Sequence, residues 1–160
     1  MATLGFYLAL VLAALAFMEG FAWVMHRYVM HGWLWVWHRS HHEPRTGAFE
    51  LNDLFAVVFA APAIVAIYFG VHGTPWLLPV GLGITAYGAI YFMFHDGMVH
   101  QRFKAPKFKS RYWKQLIQAH RIHHAVHTKH GAVSFGFLLA RPVRELKAKL
   151  RERGVDGALL

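Results

Sequence analysis

The chain has 160 residues, which is enough for one domain, and it is predicted to form a single membrane-embedded domain over residues 1–160. Hydrophobic residues make up 56% of it and charged residues only 16%, which excludes a disordered chain and a soluble nucleic-acid-binding module despite the net charge of +9. The absence of cysteine excludes a disulfide framework, a thiolate zinc site and a cysteine nucleophile. The chain also contains thirteen histidines, and a membrane-protein composition does not account for so many.

Three apolar stretches predict membrane-spanning helices. The first, residues 1–25, carries Glu19 as its only charged side chain, and the others, 54–71 and 76–94, flank a turn at 70–75. Each approaches the length that an α-helix needs to cross hydrocarbon, and three buried helices of a soluble protein would need far more polar chain around them. The predicted fold class is therefore all-α, an integral membrane protein with three to four transmembrane helices and a cytoplasmic histidine-rich cap.

The basic residues predict the orientation of these spans. None of the 17 lies in residues 1–26 or 46–101, so they follow the first and third spans and avoid the turn between the second and third. The positive-inside rule then places the turn outside and the histidine-rich segments and the C-terminus in the cytoplasm, at a bacterial inner membrane. The surplus positive charge favours membrane lipids as partners rather than nucleic acid.

Three further segments follow the third span. Residues 112–130 are predicted to form a polar helix at the membrane surface. The apolar stretch 133–140 is too short to span and is expected to pack or to dip into the interface. Residues 141–153 alternate charged and apolar side chains as an amphipathic helix does, and Gly154 is expected to end it.

Ten of the histidines form two copies of one pattern, H-x4-H followed by H-x2-H-H. Positions i, i+3 and i+4 share one face of an α-helix, so each H-x2-H-H is predicted to present three imidazoles towards one point. The two histidines of H-x4-H lie about 140° apart on an ideal helix, so they must converge from a helix end or serve two centres. The ten histidines are His26, His31, His38, His41, His42, His95, His100, His120, His123 and His124.

Ten imidazoles are too many for one metal ion and suit two, so all ten are predicted as metal ligands. Zinc sites usually close with four ligands, often thiolates, whereas an imidazole-rich site with positions left for oxygen suits iron. Copper also fits imidazole. Two iron ions with O2 as co-substrate are the favoured interpretation, because two irons can supply electrons to split O2 and attack an unactivated C–H bond. No catalytic residue beyond the metal ligands is predicted.

The segments between the histidines carry a resemblance to a known family. The chain resembles the membrane histidine-box di-iron hydroxylases and desaturases, and more narrowly the bacterial beta-carotene 3-hydroxylases. The resemblance implies O2-dependent hydroxylation of a carotenoid beta-ionone ring at C3, from beta-carotene through beta-cryptoxanthin to zeaxanthin, with a ferredoxin-type electron donor and its reductase. The chain departs from the family at 129–132, where it has Lys-His-Gly-Ala instead of Lys-Glu-Gly-Cys. The matching segments are 28–33, 37–45, 47–54, 91–102, 119–126 and 133–137.

Several polar residues near the boxes are predicted to support the ligands. Glu19, inside a span, is expected to accept a ligand N–H or else to be a pore-facing charge. Asp96 is expected to orient an imidazole, and His127, at i+7 from His120, to lie beside the ligands or at the surface. Glu43, Glu50 and Asp53 are weaker candidates of the same kind, His130 is expected at the surface, and His72, in the outer turn, is excluded as a ligand.

Two alternatives remain open from the sequence. One is a fatty-acid or sterol hydroxylase or desaturase that uses the same boxes. The other is a metal-binding membrane protein or transporter. Transport is disfavoured because only Glu19 lies deep in a span, whereas a transport path needs ionisable residues in several spans.

Overall fold

The computed structural model describes residues 2–106 and 108–154, so Met1 of the predicted first span lies outside the described residues. Within these ranges the chain is all helical, as predicted, and contains no strand. Two π-helical segments, Met25–Trp33 and Met93–Val99, continue the first and fourth α-helices, and a 3-10 turn, Leu51–Asp53, leads into the third. The α-helices of the described chain are α1 (Ala2–Val24), α2 (Trp35–His42), α3 (Leu54–Val71), α4 (Leu77–Phe92), α5 (Arg111–His124) and α6 (Val143–Glu152).

The three predicted spans are confirmed as helices long and apolar enough to cross a membrane. They cover Thr3–Trp33, Leu51–Val71 and Leu77–Val99. Large apolar side chains point outward along them, and Phe17 and Val57 are 66% and 68% exposed. Such side chains would be unfavourable in water, so this surface is suited to lipid.

Helix α4 packs against both α1 and α3. Close approach depends on small residues: a Cβ at Gly83 would lie 2.7 Å from the Ala14 Cβ of α1, and one at Gly81 would lie 2.7 Å from the Ile67 side chain of α3. The three long helices therefore pack closely through α4, and a cavity between them faces the histidine-bearing ends.

The cap over these ends is built from α2, α5, α6 and the loops between them. Helix α5 starts after Ser110, whose hydroxyl accepts from the Trp113 N–H, and it ends at His124 rather than at residue 130, so that part of the helix prediction is wrong. The predicted amphipathic helix at 141–153 is confirmed as α6, which buries Leu146 and Leu150 and is followed by Gly154 at φ +73°. The segment 133–140 is an extended loop that packs inward.

Candidate metal centre

All ten predicted ligands come together at one end of the helices, in two neighbouring clusters. Within each cluster the candidate ligand nitrogens lie within 4.8 Å of one another. His42 lies between the clusters and groups with His123 and His124. Cluster I comprises His26, His31, His38 and His123, and cluster II comprises His41, His95, His100, His120 and His124.

The π-helical segments explain how each H-x4-H pair reaches one cluster. A π-helix brings residues i and i+5 together, which is the spacing of His26 and His31 and of His95 and His100. After His31 the helix breaks at Gly32, whose φ of −108° and ψ of −122° are not helical. The alternative expectation, that the two histidines of a pair bind metal at two separate centres, is therefore wrong. Both pairs converge within a cluster.

The H-x2-H-H motifs behave differently from the prediction. On α2, His38 belongs to cluster I and His41 to cluster II. On α5, likewise, His123 belongs to cluster I and His120 to cluster II. Positions i+3 and i+4 flank position i on an α-helix and are about 100° apart. The three imidazoles consequently diverge enough to reach both clusters, and the expectation of a single point of convergence is wrong.

Backbone carbonyls orient four of the ligands. Each imidazole donates its Nδ1–H to a carbonyl of the loop after α5, at 2.8–3.0 Å. Since a carbonyl only accepts, the proton of the neutral ring is on Nδ1 and the Nε2 lone pair is free. The pairs are His26 with Phe135, His31 with Lys129, His42 with Val126, and His123 with Val133.

This arrangement tests whether the residues fit a metal. The Nε2 atoms of His31 and His123 are 3.1 Å apart, and neither carries a proton, so they cannot form a hydrogen bond with each other. Two lone pairs at that distance repel unless a cation lies between them. Ligand nitrogens about 2.1 Å from one ion are separated by distances of this order. The donor set therefore fits a metal centre.

Side-chain acceptors orient three more ligands. His38 Nδ1 is 2.7 Å from Asn52 Oδ1, and His41 Nδ1 is 2.8 Å from Glu50 Oε2. His95 Nδ1 is 3.3 Å from Asp96 Oδ1. Such acceptors fix the tautomer and ring orientation of a metal ligand. By contrast, His120 Nδ1 is buried and has no partner among the described residues.

Burial keeps the cap histidines neutral. It lowers the pKa of His38, His41 and His123 well below the usual histidine value, with neighbouring imidazoles lowering it further. Burial lowers the pKa of His42 and of His100 to about 3 in the same way. Neutral imidazole is the form that binds metal, so the cluster is in its binding form at neutral pH.

An apolar cavity of about 500 Å³ leads from the membrane helices to cluster II. Its inner end is formed by His95 and Asp96, with Tyr91 stacked on His95 at 4.6 Å between ring centroids. Phe137 packs edge-on against Tyr91 at 4.7 Å and lies parallel to the His26 ring at 5.1 Å. The other walls come from α1, α3 and α4, among them Met18, Ala22, Phe55, Phe59, Ile84, Tyr87 and Gly88.

Comparison with known proteins agrees with this geometry. The fatty acid hydroxylase family profile matches residues 11–140. The chain is 58% identical to the beta-carotene hydroxylase of Pantoea ananas over 85% of this chain and 78% of that protein. It is 54% identical to that of Pseudescherichia vulneris (91% of this chain, 83% of that protein) and 47% identical to that of Paracoccus sp. strain PC1 (91% of each). The chain belongs to the beta-carotene hydroxylase family. No solved structure matches it significantly.

Membership in this family makes the chain an enzyme, a hydroxylating monooxygenase, and favours that interpretation over a transporter or a metal-binding membrane protein without enzymatic activity. The beta-carotene hydroxylase relatives likewise favour the carotenoid branch over the fatty-acid and sterol branches. The histidine clusters of the hydroxylase are the candidate metal centre that such an enzyme needs.

Glu19 has a different role in the hydroxylase from the one expected. Its Oε1 accepts three backbone N–H groups, those of Phe137, Leu138 and Leu139, each at 3.0 Å, and its Oε2 accepts the Tyr87 hydroxyl at 2.8 Å. None of its described hydrogen bonds involves an imidazole. These four donors compensate the cost of burying a carboxylate in a span. Glu19 therefore anchors the loop that contains Phe135 and Phe137, and acts on the ligands only through it.

The other predicted supporting residues divide in two groups. Asp96 and Glu50 contact ligands as expected, and Asp53 acts through Arg102, which it binds in a bidentate pair at 2.6 and 2.8 Å. Arg102 also lies 3.3 Å from Asp96 and so links the two carboxylates. Glu43 instead pairs with Arg39 at 2.6 Å on the exposed side of α2.

The three remaining histidines are not in either cluster. His127 is exposed, which agrees with the surface position that was one of its two expected places, but α5 ends before it, so it does not share a helix face with His120. Beyond the helix end, the carbonyls of Val126 and Lys129 accept from His42 and His31. His130 is exposed, and His72 lies in the distant turn with its ring bonded to the Tyr68 carbonyl at 2.7 Å.

Sequence reasoning missed four residues that shape the site: Asn52, Tyr87, Arg102 and Phe137. Asn52 and Phe137 fall in two of the segments that carried the family resemblance, 47–54 and 133–137. That was the available signal for them. Arg102 ends a third such segment, 91–102, whereas Tyr87 sits inside an apolar span, where nothing local distinguished it from the other aromatic residues.

Proposed function

We propose that this hydroxylase adds a hydroxyl group at C3 of the beta-ionone ring of carotenoids, converting beta-carotene through beta-cryptoxanthin to zeaxanthin. The observation that supports this most is the apolar cavity of about 500 Å³ that runs between the membrane helices and ends at His95. Ligand pockets have volumes of about 300–1,000 Å³. A carotenoid is far longer than this cavity, so one ring enters while the polyene stays among the helices and lipid.

Apolar side chains of this chain would hold the substrate. Phe59, Tyr91 and Phe137 offer apolar ring faces and edges to a hydrocarbon ring. Tyr91 stacks on His95, so a ring that contacts Tyr91 lies beside cluster II. Because the inner end is buried, water is kept from the reacting carbon.

The cofactor of the proposed reaction is a pair of iron ions, one held by each cluster, with O2 as co-substrate. Imidazole ligands with open positions suit iron, and the bound metal would supply the redox chemistry that oxidation of an unactivated C–H bond requires. His42, between the clusters, would contribute to either ion. The chain's own contribution is to gather ten imidazoles at the clusters and to orient seven of them through Nδ1–H bonds to fixed acceptors.

Electrons would come from a ferredoxin-type donor and its reductase. A polar cleft of about 470 Å³ reaches the clusters from the side away from the membrane cavity, where His42, His100 and His124 form its floor and Arg121 and His127 its rim. Substrate and reductant would thus approach from different sides. The exposed Arg121 on this rim would attract an acidic donor, and Glu43, which also lines the cleft, is paired with Arg39.

The proposed location is the bacterial inner membrane with the clusters on the cytoplasmic side. Every Lys and Arg follows either the first or the third span, which supports this orientation. A reporter enzyme fused after residue 160 should be active in the cytoplasm. Activity only in the periplasm would contradict the orientation and the cytoplasmic site together.

Expression in cells that accumulate beta-carotene tests the substrate assignment. We expect beta-cryptoxanthin and zeaxanthin to appear in extracts separated by liquid chromatography, and a variant lacking His123 to form neither. Unchanged beta-carotene together with hydroxylated or desaturated fatty acids would contradict the carotenoid assignment while leaving the hydroxylase chemistry in place.

A further inference from the structure

A second, smaller pocket lies against the loop that anchors the ligands. Its volume is about 200 Å³, and Phe135 of the loop forms part of its wall while also packing against His26 and His123 at 5.4 and 5.2 Å. Unlike the membrane cavity, this pocket is basic, and no Asp or Glu lines it among the residues that the structure describes. Its basic lining residues are Arg27, Arg141, Lys149 and Arg153.

The described part of the chain neutralises the positive charge of this basic pocket only at Arg141, which pairs with Glu145 at 3.7 Å. Within residues 2–106 and 108–154, neither Arg27 nor Lys149 forms an ion pair. The Arg27 guanidinium lies over the Phe135 ring at 5.2 Å, and Arg153 donates to the carbonyls of Gly131 and Ala132. Four cations around one concave surface attract an anion.

A hydroxyl group in the wall supplies a second, independent observation. Ser134 lines the basic pocket, and its Oγ is shielded from solvent yet has no hydrogen-bond partner among the described residues. A buried hydroxyl without a partner is unfavourable. A change of its side-chain rotamer would turn this hydroxyl towards an anionic oxygen in the basic pocket, which would then accept from it.

The position of the basic pocket indicates what kind of anion it takes. Arg27 is the first basic residue of the chain and so marks the polar boundary of the first span, where Trp23 and Tyr28 are exposed as interfacial aromatics. Trp23 and the 72% exposed Leu139 extend the basic pocket with an apolar surface. A ligand with a phosphate at one end and hydrocarbon at the other matches both parts.

We propose that the basic pocket binds the phosphate of an anionic phospholipid, with the phosphate at Arg27 and Lys149 and an acyl chain along Trp23 and Leu139. Charge-assisted hydrogen bonds from guanidinium and ammonium groups are the strong interactions available to such a headgroup. The occupied pocket would also hold the loop whose Val133 and Phe135 carbonyls orient His123 and His26. Lipid binding itself does not depend on the identity of the substrate or the metal.

Native mass spectrometry of the purified full-length chain in a neutral detergent tests this proposal. Phosphatidylglycerol is titrated into the wild type, the double variant Arg27→Gln/Lys149→Gln, and the matched control Arg144→Gln/Arg151→Gln. The control removes two exposed charges of α6 that do not line the basic pocket. We expect one tightly bound phosphatidylglycerol in wild type and control, and an affinity about tenfold or more lower in the pocket variant. Equal affinity in the two variants would overturn the proposal.

Two further titrations distinguish a phospholipid headgroup from free phosphate as the ligand. Phosphatidylcholine with the same acyl chains should bind at least about fivefold more weakly, because its headgroup has no net charge. Millimolar inorganic phosphate should leave phosphatidylglycerol bound; if it displaces the lipid, the pocket is a site for free phosphate and the phospholipid assignment is wrong. Lys149→Gln alone is remote from the histidines and should give a partial loss, which keeps the test valid if the Arg27 variant does not fold.

Discussion

Seven of the ten candidate ligands have an acceptor at Nδ1, and the side-chain acceptors among these can be removed one at a time. Four acceptors are backbone carbonyls and cannot be altered by simple substitution. Asn52, which accepts from His38, is a side-chain acceptor whose removal leaves the backbone and the ligand in place. It therefore allows the contribution of orientation to be measured apart from ligation.

Asn52→Ala should lower iron affinity or activity by about 10–100-fold, because His38 would lose the bond that fixes its tautomer. Asn52→Asp keeps an oxygen at the same place and should recover most of the loss. Iron per chain after chelator challenge and product formed in beta-carotene-producing cells are the two measurements. A loss of equal size in both variants would mean that Asn52 acts by packing rather than by orienting His38.

His123→Ala removes a fully buried ligand that belongs to cluster I and also contacts His42. Iron content should fall in part, since water can fill one coordination position, while product formation should be almost abolished. The matched control is His72→Ala, which removes an exposed ring in the distant turn. Iron and product should both stay at wild-type values in the control. Full activity of His123→Ala would contradict the ten-ligand assignment.

At the scale of elements, the sequence predicts regular structure well and irregular structure poorly. The second span was expected at 54–71 and is helix α3 over the same residues, because an uninterrupted apolar run has few alternatives. The π-helical segments were missed because helical periodicity assumes 3.6 residues per turn, and only the H-x4-H spacing itself indicated a wider turn. The four carbonyl acceptors could not be predicted, since every residue has a carbonyl and only the folded loop selects which ones are used.

The loop 133–140 is the element on which cluster I most depends, and Gly136 allows its approach to α1. A Cβ at Gly136 would overlap the Leu139 carbonyl oxygen and lie 3.1 Å from Glu19 Oε1, so the loop would have to move. Displacing it would pull the Phe135 carbonyl from His26.

Gly136→Ala should therefore reduce iron retention and lower the thermal unfolding temperature. Gly20→Ala is the control, because a Cβ there meets no atom within 4 Å and only improves helix propensity. Iron per chain and unfolding monitored by circular dichroism are the measurements. If both variants retain iron equally, the anchoring of this loop by Glu19 is not what orients the ligands.

For the whole molecule, the main consequence of the fold is that substrate and solvent meet the clusters from different sides. The membrane cavity reaches His95 from between the helices, whereas the polar cleft reaches His42 and His124 from the cap. An apolar substrate can thus reach the clusters without leaving the hydrocarbon. A substitution that blocks the membrane cavity should prevent substrate access while metal binding is retained. Substitution of a ligand cannot make this distinction, because it changes metal binding itself.

Gly88 on α4 allows that separation to be tested. It lines the membrane cavity, and a Cβ there meets no atom within 4 Å, so a larger side chain can enter the cavity without displacing backbone. Gly88→Phe should retain the wild-type iron content, because no ligand or acceptor changes, while carotenoid hydroxylation falls by at least about tenfold, as expected when a pocket cannot admit its ligand. Gly20→Phe places the same side chain on α1 outside the cavity and should preserve both iron and product. Hydroxylation that persists in Gly88→Phe would show that the ring reaches the clusters by another path, and the polar cleft would then be the entrance to examine.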